Sequence, residues 1–416
     1  MTQAETTPAP STAPATAPAP AAGHRWSPVL AVALATFTVV SSEMMPVGLL
    51  TPMSDSLGVS DGTTGLTLTI TGLIAALLSP LTPVLVGRRD RRTVLIAFML
   101  LLALADAVSA LAPNFPVLAL GRILLGGAMG IVWGLAAGLG PRLADGPRIA
   151  LTMTLIFSGV SIASVLGVPL GTYLAALLDW RAAFWALALL GAGSAAALAA
   201  TLPALPALPV TGRGRLGGLT DALRNRGVAA GAAVTAFVVL GHFAGYTYVR
   251  PVLETDAGLS SGTIATCLLV YGLAGVAGNF SLGPLSGRRP KLAVVLALSG
   301  VTLAAALLPS ATGGVVTVLL ALILWGAAYG GVSVSTQTWI RTADPGRIEA
   351  SAAVWAGVFN ASIALGSLAG GMVVDRSGNH AVLYTAAGLT AAGLLLAAVT
   401  RPRAADARTG GTDTVN

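Results

Sequence analysis

The strongest constraint on the fold of this sequence is its series of long apolar runs. A helix that crosses a membrane needs about 20 mostly apolar residues, and twelve runs of the 416-residue chain satisfy that length. Only 9% of the residues are charged, against about 25% in a soluble domain. The sequence therefore predicts an all-α integral membrane protein with spans at roughly 28–53, 64–86, 93–112, 116–141, 149–177, 181–201, 228–252, 262–286, 291–309, 314–340, 349–373 and 380–400.

The positions of the basic residues predict the orientation of these spans. Lysine and arginine concentrate in the cytoplasmic loops of membrane proteins. If the N-terminus is cytoplasmic, all but four of the 23 basic residues fall in cytoplasmic loops or tails. The four others are Arg122, Arg181, Arg250 and Arg376. This pattern predicts an N-in, C-in protein of the cell membrane, and it explains the net charge of +7 without a nucleic-acid partner.

The chain divides into five segments by composition. Residues 1–26 are rich in Pro, Ala and Thr and are predicted to be a disordered tail, as are the polar residues 401–416. Two groups of six spans occupy 27–201 and 228–400, and the Pro-, Gly- and Arg-rich segment 202–227 reads as a cytoplasmic linker.

The two groups of spans are related by an internal repeat with an offset of 199 to 200 residues. Gly87-Arg88-Arg89 recurs as Gly287-Arg288-Arg289, and Gly167 and Gly171 correspond to Gly366 and Gly370. Parallel halves of this kind are a known transporter architecture, with the substrate site at the membrane midplane between them. The repeat predicts two pseudo-symmetric six-helix bundles.

Away from the span ends, three charged residues lie within the spans: Glu43, Asp106 and Arg122. A charge at the centre of a bilayer costs about 2.5–3.5 kcal/mol on insertion scales, so each is a functional candidate by default. Counting along the helices places all three at a similar depth, and we expect Glu43 to pair with Arg122. The alternative is a static ion pair that only fixes two helices, and for Asp106 a polar contact between helices is the favoured interpretation.

Other residues are candidates for lining a cavity between the halves. His242 lies one repeat after Glu43, in a segment that also contains Tyr246. Met44, Trp133, Asn279 and Asn360 complete the set, although each would also serve as an ordinary packing or bridging residue.

The sequence offers little support for an enzyme. It shows no nucleophile–base pair, no cluster of metal ligands and no cofactor motif. Its single lysine, Lys291, follows a proline, so a Gly-Lys-Ser/Thr phosphate loop is absent.

Four stretches together resemble the major facilitator superfamily, in particular its drug:proton antiporters with twelve spans and the sugar, purine-nucleoside and chloramphenicol-type efflux permeases among them. They are 38–50 with Glu43-Met44-Met45-Pro46, 167–172 with Gly167-Val168-Pro169-Leu170-Gly171, 179–184 and 241–248. The resemblance implies proton coupling through Arg122 and an antiporter signature at Gly167, Pro169 and Gly171.

One motif departs from the pattern of this family. The loop between the second and third spans normally reads G-x-L-x-D-R-x-G-R-R, and here it is Pro83-Val84-Leu85-Val86-Gly87-Arg88-Arg89-Asp90-Arg91-Arg92. The basic residues Arg88, Arg89 and Arg92 remain, but Gly87 stands where the motif has its aspartate.

The prediction is a proton-coupled exporter of a small organic molecule such as a drug, sugar or nucleoside, functional as a monomer within the lipid bilayer. Its partners would be the substrate and the proton. The alternatives are uptake, an uncoupled permease of the same fold, or a membrane sensor or scaffold that transports nothing.

Overall fold

The computed structural model describes residues 26–79, 81–136, 139–145, 148–206, 215–310 and 314–400, and the two predicted tails lie outside these ranges apart from Trp26. The described chain is helical, without strands. Eleven long helices form the body of the protein: α1 Ser27–Leu57, α2 Asp61–Leu78, α3 Arg91–Ala110, α4 Phe115–Ala136, α5 Arg148–Leu177, α6 Trp180–Thr201, α7 Arg226–Tyr246, α8 Ser261–Arg288, α9 Pro290–Leu307, α10 Val315–Gly330 and α11 Ile348–Val399.

These eleven helices provide the twelve predicted spans. The last helix is 52 residues long, and it is interrupted at Gly378, whose φ of 80° is outside the helical range. We refer to residues 348–377 and 379–399 as the first and second arms of α11. Helix α10 has 16 residues and continues beyond Gly331 as the helix Val332–Ala343, which completes its crossing.

Shorter elements connect the long helices. They are the α-helices Thr82–Val86, Gly140–Leu143, Arg215–Arg224 and Val249–Pro251, the π-helical turn Val252–Asp256, and the 3₁₀ turns Leu308–Ser310 and Pro345–Arg347. The predicted linker 202–227 therefore contains a helix, Arg215–Arg224, that the Pro- and Gly-rich composition did not predict.

The internal repeat is present in the packing. In the first half Gly167 and Gly171 of α5 lie against Ser41 and Met45 of α1. In the second half Gly366 and Gly370 of α11 lie against Leu240 and Ala244 of α7, each 199 residues later than its counterpart. The small residues let each helix pair approach closely. Two pseudo-symmetric bundles of six spans follow, as predicted.

Hydrogen bonds join the two halves at one end of the bundle, where α1 ends and α2 begins. The Asp375 carboxylate accepts from the Gly62 amide (2.9 Å) and from the Ser60 hydroxyl (2.8 Å). The Ser367 hydroxyl donates to the Gly65 carbonyl (2.9 Å), and the Tyr248 hydroxyl donates to the carbonyl of Ser367 (2.8 Å). We call this the closed end. Helices α5 and α8 continue the contact towards the middle of the bundle, with Gly272 against Val165.

Candidate functional site

Two prolines leave backbone carbonyls of α1 near Glu43 without their helical partners. A proline has no N–H, so it leaves the carbonyl four residues earlier without its helical partner. Pro46 and Pro52 lie inside α1, and the carbonyls released are those of Ser42 and Gly48. Both carbonyls accept from an arginine side chain, Ser42 from Arg122 and Gly48 from Arg250. Such freed groups are tolerated at membrane depth where protein supplies a new donor.

Glu43 lies between Ser42 and Gly48 in the chain, and its side chain is only 6% exposed. Its Oε1 has no hydrogen-bond partner among the described residues. A buried carboxylate without a partner is costly, which makes Glu43 a candidate for binding a proton or a polar substrate group.

A buried polar cluster fills the first half beside it. The Ser42 hydroxyl donates to the Asp106 carboxylate of α3 (2.5 Å), and Arg122 Nη1 of α4 donates to the Ser42 carbonyl (3.0 Å). The Arg122 and Asp106 side chains form an ion pair of 3.9 Å with neither residue exposed to solvent. The Arg122 guanidinium also lies 4.6 Å from the ring centre of Phe184 in α6. The cluster thus ties α1, α3, α4 and α6 together.

The partner of Arg122 is not the one that the sequence predicted. The expected Glu43–Arg122 ion pair is wrong, because Arg122 pairs with Asp106 and contacts the backbone of Ser42. Depth along a helix was predicted correctly, but depth does not give direction around the axis. Neighbouring residues of an α-helix point about 100° apart, so Ser42 faces the inside of the first half while Glu43 faces elsewhere. Asp106 makes the contact between helices that was favoured for it.

An aromatic cluster in the second half surrounds His242. Trp325 Nε1 of α10 donates to His242 Nδ1 (2.9 Å). The Tyr329 ring stacks on the imidazole with centroids 3.4 Å apart, and Tyr246 stacks on it at 4.9 Å. Tyr271 of α8 stacks on Tyr246 in turn, at 4.7 Å. His242 is thus built into an aromatic network rather than free to rotate.

Helix α1 reaches this cluster beside Glu43, because Met44 packs against, and Val47 belongs to, the hydrophobic core that contains Tyr246 and Tyr271. The Tyr329 hydroxyl has no hydrogen-bond partner among the described residues. Two buried polar atoms, one from each half, therefore lack a partner among the described residues. Sequence reasoning missed Tyr329, Trp325 and Tyr271; the signal available was a few Tyr and Trp residues within spans that are otherwise aliphatic.

The remaining cavity candidates are distributed differently. Met44 packs partly buried against the core of the second half. Trp133 stacks on Phe157 of α5 at 6.2 Å. The Asn360 side chain donates to the carbonyl of Ala356 in its own helix (2.9 Å), and Asn279 is exposed on α8. The structure therefore brings His242 and Tyr246 into one cluster and leaves Trp133, Asn279 and Asn360 without a contact to it among the interactions described above.

Gly167 and Gly171, one helical turn apart, lie on the face of α5 that packs on the helix carrying Glu43, and Pro169 between them is buried. A side chain at Gly167 would meet Ser41 at 2.7 Å, and one at Gly171 would meet Met45. Glu43 is thus flanked by two close contacts with α5, so the small residues set the distance between α1 and α5.

The loop between α2 and α3 is organised within the first half. Asp90 caps α3 by accepting from the Arg92 amide (2.7 Å), and its other oxygen accepts from the Leu205 amide (2.9 Å). Arg92 donates to the Ala199 carbonyl (2.5 Å), whereas Arg88 and Arg89 are exposed. Gly87 has a φ of 54°, which favours glycine over the aspartate that the motif normally carries.

Comparison with known proteins identifies the family. The model of the Major Facilitator Superfamily matches residues 32–352. The chain belongs to the major facilitator superfamily.

Relatives within the superfamily cover almost the whole chain. It is 33% identical over 374 residues to the transcription regulatory protein OpdE of Pseudomonas aeruginosa, covering 90% of this chain and 92% of OpdE. It is 32% identical over 372 residues to the purine ribonucleoside efflux pump NepI of Salmonella typhimurium, covering 88% and 91%.

Solved structures of the superfamily have the same fold. A point mutant of the nucleoside transporter NupG superposes with a TM-score of 0.72 at 14% identity, covering 89% of this chain and 98% of NupG. A bacterial homologue of the human lysosomal transporter Spinster, in an inward-facing and unoccupied conformation, gives a TM-score of 0.69 at 15% identity, covering 91% and 96%. The chain is accordingly a multi-pass membrane transporter of this superfamily and not an enzyme.

Proposed function

We propose that this transporter exports a small organic molecule, of the purine nucleoside class, in exchange for protons. The observation that carries the proposal is the buried Glu43 carboxyl with an unpartnered oxygen, on a helix that packs against the core containing the aromatic cluster of the other half. Aromatic rings suit a flat base by stacking. The efflux function named for the Salmonella relative supports the choice of class and direction.

The proposed cycle uses the orientation predicted from the basic residues, with both termini in the cytoplasm of the cell. The closed end is then the outer end, which supports an inward-facing state, and in this scheme the protein works as a monomer in the cell membrane. Glu43 receives a proton from outside and releases it to the cytoplasm, where substrate takes its place. The pair Asp106–Arg122 keeps α1, α3 and α4 together as one moving body, and Arg122 sets the electrostatic field near Glu43.

The test is transport by the purified protein in liposomes, with Glu43→Gln as the variant. We expect the wild type to accumulate a labelled purine ribonucleoside when the liposome interior is more acidic than the medium, because protons then leave in exchange for nucleoside. A protonophore should abolish the accumulation. Glu43→Gln should lose gradient-driven accumulation but retain exchange of labelled for unlabelled nucleoside. The matched control is Asp179→Asn, which removes a half-exposed carboxylate outside the site and should behave as the wild type.

Unchanged gradient-driven transport by Glu43→Gln would remove Glu43 from coupling. Entry of the label that the protonophore does not change indicates an uncoupled permease. Accumulation that requires an alkaline liposome interior indicates uptake.

A second candidate function is regulation of gene expression without transport, and the name of the Pseudomonas relative favours it. It predicts no flux of any tested nucleoside, sugar or antibiotic in liposomes. A changed transcript profile in a deletion strain, restored by the Glu43→Gln variant, would then support it.

A further inference from the structure

Arg250 connects the two halves of the molecule at the closed end. It lies in the short helix Val249–Pro251, just after α7, and is 3% exposed. Its Nη1 donates to the Gly48 carbonyl of α1, in the other half of the chain. Its Nη2 donates to Glu254 Oε1 (2.8 Å) and to the Ser261 hydroxyl (3.2 Å), both in its own half.

The Gly48 carbonyl is available for this contact because Pro52 cannot donate to it. In a regular helix the amide four residues later would occupy that oxygen. Here the carbonyl accepts instead from Thr172 Oγ1 of α5 (3.1 Å), which is in the same half, and from Arg250, which is not. The proline therefore creates an acceptor that a residue of the opposite half can reach.

Because the guanidinium is buried, the loss of this contact is costly. Hydrogen bonds from a charged donor are stronger than neutral ones, and a buried charge that loses its acceptors is left uncompensated. Glu254 holds the guanidinium when the halves separate, whereas the bond to Gly48 is lost. Gly48 is five residues, or about 7.5 Å of helix, from Glu43, so the contact acts on the helix that carries the candidate coupling residue.

We propose that Arg250 and the proline-freed carbonyl of Gly48 form a latch that holds the closed end shut and sets the balance between the two conformations of the transporter. Arg250 is a positioning residue in this scheme, since it acts through the backbone of α1. The proposal depends on neither proton coupling nor the identity of the substrate.

The test measures distances between the halves in the purified, full-length protein. Spin labels at Leu178→Cys and Ser377→Cys report on the closed end, because both residues are exposed and belong to different halves. A second pair, Thr93→Cys and Arg347→Cys, reports on the opposite end. Cys267 is buried in the core and is replaced by alanine in both backgrounds.

Arg250→Ala should shift the closed-end distances towards longer values and the opposite-end distances towards shorter ones. Loss of one hydrogen bond from a charged group changes the ratio of the two populations by about tenfold or more. Arg250→Lys keeps a donor and should retain part of the wild-type distribution. Thr172→Val is the matched control, since it removes a donor to the same carbonyl but within one half, and it should leave both distributions at their wild-type values.

Pro52→Ala tests the mechanism without removing the charge. It restores an amide that competes for the Gly48 carbonyl, so it should shift the distributions in the same direction as Arg250→Ala. If Arg250→Ala does not elute as a folded monomer, Pro52→Ala decides the question alone. Unchanged distances in a folded Arg250→Ala variant, or in Pro52→Ala, would overturn the latch, as would an equal shift in Thr172→Val.

Discussion

The buried pair Asp106–Arg122 predicts an unequal response to removing its two members. Without Arg122, the Asp106 carboxylate keeps one hydrogen bond, from the Ser42 hydroxyl (2.5 Å). Breaking a buried ion pair in this way costs about 3–5 kcal/mol, because the remaining charge is uncompensated. We therefore expect Arg122→Gln to lower the free energy of unfolding by that amount.

Removing Asp106 should cost less, because Arg122 has two other partners. Its guanidinium donates to the Ser42 carbonyl (3.0 Å) and lies 4.6 Å from the Phe184 ring centre. A desolvated cation–π contact is worth about 2 kcal/mol, and the asparagine side chain can still accept from Ser42. Because these partners still compensate the guanidinium, we expect Asp106→Asn to cost about 1–3 kcal/mol, the cost of one buried group that loses a partner.

The double variant Arg122→Gln/Asp106→Asn should be more stable than the sum of the single effects implies, because it leaves no buried charge at this pair. We expect a coupling free energy of about 2 kcal/mol or more, within the range for residues in one network. The assay is unfolding in mixed micelles, followed by tryptophan fluorescence. The control cycle uses Arg181 and Asp179, a half-exposed pair of 3.4 Å, for which about 0.2–1 kcal/mol is expected. Additive effects at Asp106 and Arg122, within about 0.5 kcal/mol, would refute the reasoning.

Two further predictions concern the loop and the aromatic cluster. Gly87→Val forces a β-branched residue to a φ of 54° and should destabilise the protein by about 1–2 kcal/mol. The control is Gly193→Val, at a helical glycine with open space around it, which should have a smaller effect in the same unfolding assay. His242→Phe leaves the Trp325 indole N–H without its acceptor and should cost about 1–3 kcal/mol; a folded variant whose tryptophan emission and stability both match the wild type would contradict the role of that hydrogen bond.

The sequence predicted the fold well because its signals are local. Span length and a repeat of 199 residues are each readable along the chain, and the packing of Gly167 on Ser41 and of Gly366 on Leu240 reproduces the repeat. The break at Gly378 and the helix Arg215–Arg224 were not predicted, because composition identified their segments only as a span end and a linker.

The candidate site was predicted in part, and the errors have a geometric cause. Glu43 and His242 could be found because a titratable side chain is rare in an apolar helix. The partner of Arg122 could not, because it depends on the rotation of three helices about their axes. The contact of Arg250 with Gly48 depends in addition on the conformation of the transporter, which cannot be read from the sequence of any single helix.

The two halves have the same arrangement of helices but different buried polar groups. This difference suits a transporter that changes conformation. The positions one repeat after Asp106 and Arg122 are Ala305 and Ala321, both buried in the second half, so the ion pair has no counterpart there. Because Asp106, Arg122 and Ser42 bond to one another inside the first half, the halves can move apart without separating those charges. Among the bonds that such a movement must break are those at Asp375, Ser367 and Arg250, and the bond from the Thr69 hydroxyl to the Ala364 carbonyl. Of these, the bond of Arg250 ends on the helix that carries Glu43, so separating the halves there changes the surroundings of a buried carboxylate.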